Sequence, residues 1–98
     1  MADPLAIPDA VRDRSDAREI LRVWVANSRQ HFSLYTTWED PAAWGLMLAD
    51  LARHVANAYA REGKNREESL RTILELLEKE LEHPTDDCCD ETGLEGRN

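Results

Sequence analysis

Hydrophobic positions along the chain change period partway through. From Glu19 to Ala26 the run holds Ile20, Leu21, Val23, Trp24 and Val25. Such β-branched and aromatic side chains suit a pleated surface, so the stretch is expected to be a strand. Alternation places Leu21, Val23 and Val25 on one face and Ile20, Arg22 and Trp24 on the other. Both faces carry apolar groups, so both call for cover. Asn27-Ser28-Arg29-Gln30 has the composition of a hairpin loop. His31 to Thr37 then forms a second strand, with Phe32, Leu34 and Thr36 on one face and Ser33, Tyr35 and Thr37 on the other. A loop this short makes the pair antiparallel.

Beyond Trp38 the period becomes helical. Asp40 suits an N-cap, because its carboxylate can accept an orphan N–H of the first turn, and Pro41 suits N1, where a missing N–H costs nothing. A helix is expected from Pro41 to about Arg61, ending at Gly63 as its C′ residue. Asn65, with Glu68 three residues later, forms a capping-box pattern that opens a second helix running to about Glu82, before Pro84. Leu70, Ile73, Leu74, Leu77 and Leu81 share one face of it.

The first helix is unusual around its girth. Asp50, Arg53, His54, Asn57 and Arg61 make one polar stripe. Trp44, Met47, Leu48, Leu51, Val55, Ala58 and Tyr59 make a bulky apolar side, and Gly45, Ala49, Ala52, Ala56 and Ala60 a row of small residues. Small rows admit a close backbone. An ordinary surface helix needs an apolar arc of only about 100°, so two sides of this one need cover. The hairpin and the second helix are the covers within the chain; a second copy is the next.

The expected fold class is therefore α+β: an antiparallel β-hairpin followed by two antiparallel helices (ββαα), completed by a two-fold dimer. Residues 1–18, with Pro4 and Pro8, form a partly ordered N-terminal arm in which Asp9 to Arg14 can make a helical turn. Residues 19–83 form the single compact domain. Residues 84–98 hold acids, Gly and few apolar groups, the composition of a disordered acidic tail. About 65–75 packing residues supply only about 3–5 kcal/mol of net stability, which favours help from a homodimer partner.

Charge narrows the partners. A formal net charge of −8 repels phosphate backbones and anionic lipid, so neither nucleic acid nor membrane is an expected partner. No run approaches the roughly 20 apolar residues of a membrane span. The first residues lack a cationic and then apolar leader, and the two cysteines, Cys88 and Cys89, are adjacent and cannot staple distant parts of one chain. A cytoplasmic protein is expected.

Candidate chemistry is sparse. Asp50 and His54, at i and i+4, can orient an imidazole or offer two metal ligands, but a metal site needs three or four, so no metal and no cofactor is expected. A solvated helix face with an Asp–His ion pair is the expected reading of the two residues. Trp24, Trp38, Trp44, Tyr35 and Tyr59 can line a cleft or serve as core or subunit interface. Cys88 and Cys89 sit among acids that raise a thiol pKa, and they lack C-x-x-C spacing. No phosphate-binding glycine loop or nucleophile-elbow motif occurs, and Glu39 and Asp40 would repel a phosphate from the helix start.

Ile20 to Ala26, Thr36-Thr37-Trp38-Glu39-Asp40-Pro41, Trp44 to Leu48 and Arg53 to Tyr59 together resemble an uncharacterised family of short proteobacterial proteins with a domain-of-unknown-function label. The resemblance spans about residues 18–85. It implies a compact α+β fold in a bacterial cytoplasm, and no activity. The function expected is a non-enzymatic interaction module or structural homodimer. The alternative is a small-ligand-binding protein or weak enzyme whose aromatic pocket holds Trp24, Trp38 and Tyr59, with Asp50 and His54 as the polar pair.

Overall fold

The computed structural model describes residues 4–84. All of the expected acidic tail except Pro84 lies outside the described residues. The elements run α1 (Asp9–Arg12), β1 (Leu21–Ala26), β2 (Arg29–Leu34), α2 (Ala42–Arg61) and α3 (Arg66–Glu82). This is an antiparallel hairpin followed by two helices, an α+β layout. None of the helices is long and apolar enough to cross a membrane.

The hairpin turns more tightly than its composition suggests. Only Asn27 and Ser28 lie between the strands, both at positive φ (55° and 62°), as a type I′ turn requires. Arg29 and Gln30, expected in the loop, belong to β2. The register pairs Leu21 with Leu34 and Val23 with Phe32 on one face, and Trp24 with His31 on the other. The Tyr35 N–H donates to the Ile20 carbonyl at 3.0 Å just beyond this ladder. Alternation from that bond makes Arg22–Ser33, Trp24–His31 and Ala26–Arg29 the hydrogen-bonded pairs. The N–H and C=O groups of Leu21, Val23 and Val25 therefore point to the open edge of β1.

The helix ends obey their local sequence. Pro41 has helical dihedrals (φ −59°, ψ −18°), and the Asp40 carboxylate accepts the Ala42 N–H at 2.9 Å. At the far end Gly63 takes φ 99°; the Lys64 N–H donates to the Tyr59 carbonyl and the Gly63 N–H to that of Ala60, the two bonds of a Schellman motif. The Asn65 side chain caps α3 by accepting the Glu68 N–H at 2.8 Å. The tight connection makes α2 and α3 antiparallel neighbours, and they pack on each other.

What holds the pair is the small-residue row. Ala52 and Ala56 are the buried hydrophobic residues of the described chain, at 7% and 0% exposure. Arg66 adds a part-buried hydrogen bond from its Nε to Asn57 Oδ1 at 2.5 Å, which ties the start of α3 to α2. The hairpin does not complete the core. Neither strand packs on either helix, so the expected cover for the bulky side of α2 stands away from it. The chain crosses from one body to the other through residues 35–41, where the Trp44 Nε1–H donates to the Thr36 carbonyl at 2.6 Å.

Candidate functional site

The five side chains proposed as a pocket do not converge. Asp50 is exposed and forms an ion pair with Arg53 at 2.6 Å, one turn along the same helix. His54 is exposed on the same stripe. Trp24 lies on the hairpin, half in water, while Trp38 lies at the junction. Tyr59 borders a shallow depression of about 490 Å³ at the α2–α3 turn, which it shares with Lys64, Asn65, Glu68, Ser69 and Thr72. A second depression, between the open ends of β1 and β2, is lined by Glu19 to Arg22 and Ser33 to Tyr35. His54 and Asp50 line neither. No cluster of three or more metal-ligating side chains occurs among the described residues.

Trp38 and Trp44 do come together. Their rings meet edge to face, with centroids 5.7 Å apart and planes at 77°. Just before Trp38 the backbone makes an unusual turn. The Trp38 N–H reaches back two residues to the Thr36 carbonyl at 2.6 Å, around a Thr37 at φ 68°. A γ-turn of this hand is rare and strained, more so at a β-branched residue. The Thr37 hydroxyl donates to the Tyr35 carbonyl at 2.9 Å and helps to hold it. The Thr36 carbonyl thus accepts from both Trp38 and Trp44. The sequence offers the tryptophan spacing as a signal for this knot but nothing that foretells the turn.

The dominant feature is apolar surface left in water. On α2, Leu48, Leu51, Val55 and Tyr59 are 37–46% exposed and, with half-buried Trp44, follow a 4-3-4-4 spacing that makes one continuous stripe. On α3, Leu70 and Ile73 are half-buried, but Leu74, Leu77 and Leu81 emerge along the same face, at 46%, 46% and 76%. The face expected to be core is therefore covered only over its first turns. On the hairpin, Val23, Trp24 and Val25 are 50%, 51% and 75% exposed. The charged neighbour on that strand is already engaged: Arg22 Nε donates to Glu19 Oε1 at 2.9 Å. That hydrogen bond, and then the carboxylate's charge, hold the Arg22 pKa above its ordinary value.

Two comparisons place the chain. Residues 4–85 match the family described as Domain of unknown function (DUF5076). A solved structure from the photosynthetic bacterium Rhodopseudomonas palustrus CGA009, carrying a provisional pyruvate dehydrogenase name, is 40% identical, with a TM-score of 0.74 over 93% of this chain and 97% of that one. No curated protein matches.

Proposed function

The chain belongs to the family described as Domain of unknown function (DUF5076), and we propose that it is a non-enzymatic interaction module working as a homodimer in the bacterial cytoplasm. The observation that carries this reading is the uncovered stripe on α2. On a helix with small residues on one flank and Trp44, Leu48, Leu51, Val55 and Tyr59 on another, only Ala52 and Ala56 of the first flank are buried. The large apolar side chains exposed on the hairpin and helices, among them Val25 at 75%, Leu46 at 72% and Leu81 at 76%, leave apolar surface that nothing among the described residues covers. Two alanines cannot balance that exposure, since each buries little more than a methyl group.

The partner is a second copy because the surplus sits on two bodies of one chain that do not cover each other, and closed two-fold assembly satisfies both at once. Sedimentation equilibrium of the full chain tests the reading. The expected mass is twice the 11.2 kDa of one chain across micromolar concentrations. A single-chain mass throughout that range would refute it.

A further inference from the structure

We propose that the second copy docks on the open edge of β1, strand against antiparallel strand, with the two-fold axis passing through Val23. The inference rests on the homodimer reading and deepens it by naming the contact.

The row of small residues on α2 is the rival contact, and its middle is occupied: Ala52 and Ala56 are buried within the chain, which leaves only Gly45, Ala49 and Ala60 for a second copy. The open edge of β1 is not. Natural sheets protect an edge with lysine, proline, a bulge or a covering segment. Among the described residues β1 has none of these. Its sequence is Leu-Arg-Val-Trp-Val-Ala, it pairs with β2 without a bulge, and its one charge is tied to Glu19. β2 presents Arg29, Gln30 and His31 instead, and its Phe32 and Leu34 are better covered than the β1 valines. The apolar side chains beside the edge, Val23, Trp24 and Val25, are 50%, 51% and 75% exposed. Edge pairing gives that surface a register, and the faces beside the edge supply the area.

The register follows from which groups point outward. Leu21, Val23 and Val25 carry the free N–H and C=O groups, so they must form the hydrogen-bonded pairs across the axis. Centring on Val23 opposes Val23 to its copy and Leu21 to Val25, and uses all three. It also sets Arg22 opposite the other copy's Trp24, a cation beside an aromatic face. Centring on Arg22 opposes two guanidinium groups, which repel. Centring on Trp24 leaves Leu21 without a partner inside the strand. The product is a four-stranded sheet ordered β2-β1-β1-β2, with β1 no longer an edge.

Two variants of the full chain test this. In a chain also carrying Cys88→Ser and Cys89→Ser, Val23→Cys should oxidise to a covalent dimer, because directly opposed strand residues lie roughly 5.5 Å apart, inside the disulfide range. Gln30→Cys, on the opposite edge, should not. Val23→Pro removes an N–H that bonds nothing within the hairpin, so it should leave the fold intact by circular dichroism and weaken the dimer roughly tenfold or more. A wild-type monomer would overturn both this contact and the homodimer reading. A wild-type dimer whose Val23→Cys form fails to cross-link, or whose Val23→Pro form dimerises with unchanged affinity, would overturn the β1 contact alone.

Discussion

The two flanks of α2 differ in how deeply they are sheltered: only the small one has buried residues, Ala52 and Ala56. The small flank is buried at its middle, at Ala52 and Ala56 where α3 packs, while Gly45, Ala49 and Ala60 stay exposed. The bulky flank, from Trp44 to Tyr59, would contribute several times more on burial and is left wet. Within one chain, close approach decides the packing before area does: two helices joined by so short a connection can touch where side chains are small, and the α3 side chains that would reach further are themselves exposed. The larger flank is thereby reserved for something outside the chain.

The sharpest way to break this contrast is to spoil the sealed flank. Ala56 is fully buried, so Ala56→Leu must push α3 away. Overpacking of this kind costs about 1–3 kcal/mol, and the upper end is expected here because two helix backbones meet at the site. Urea unfolding followed by circular dichroism should show the loss. An unchanged midpoint would mean that the helix pair is not the stabilising contact. Leu51→Glu probes the other flank with the opposite signature. Leu51 is already 42% exposed, so the single chain should keep its helicity while the dimer weakens by about 1–2 kcal/mol, read as a shift of the sedimentation midpoint. Equal loss of helicity in both variants would erase the distinction between the flanks.

Much of this arrangement was legible wherever a few consecutive residues decide the geometry. Asp40 with Pro41, Gly63, and Asn65 with Glu68 marked the helix ends because caps are local chemistry, and each cap forms. The uneven girth of α2 was visible too. The tight hairpin turn was harder, since a type I′ turn usually advertises itself with glycine, and here Asn27 and Ser28 carry the positive φ values. The Thr37 turn had no signal, because strain at a β-branched residue is imposed by its surroundings: the Trp44 indole and the Trp38 N–H converge on one carbonyl. Nor could periodicity tell that Trp24 on the hairpin stands apart from His54 and Asp50 on α2, since that depends on how hairpin and helices are placed.

A smaller effect is expected from the cap that sets α3 on the sealed flank. The Asn65 side chain accepts the Glu68 N–H at 2.8 Å, and Asn65→Ala should cost about 1 kcal/mol in the same urea experiment. Asn65→Asp should keep most of it, because a carboxylate accepts the same bond and favours the helix N-terminus. If Ala and Asp behave alike, the α2–α3 contact alone sets the position of α3, and the sealed flank is more self-sufficient than its two alanines suggest.

The smallest effect belongs to a contact with no apolar cover on any side. Arg14 grips Asp16 with two hydrogen bonds, Nε to Oδ1 at 2.9 Å and Nη2 to Oδ2 at 2.7 Å, in the exposed segment before β1. The bond from Arg14 holds the Asp16 carboxyl below its ordinary pKa. A carboxylate whose pKa is lower in the folded chain contributes stability above its unfolded pKa, and that contribution disappears as pH falls through the folded value. Acidification below the usual carboxylate range should therefore release this pair, and Arg14→Gln should return the Asp16 titration, followed by carboxyl NMR, to the ordinary range. Because both groups are solvent-exposed, the urea midpoint should barely move in that variant. A substantial shift would mean that the arm before β1 is held against the rest of the assembly, and that the uncovered flank has part of its cover there.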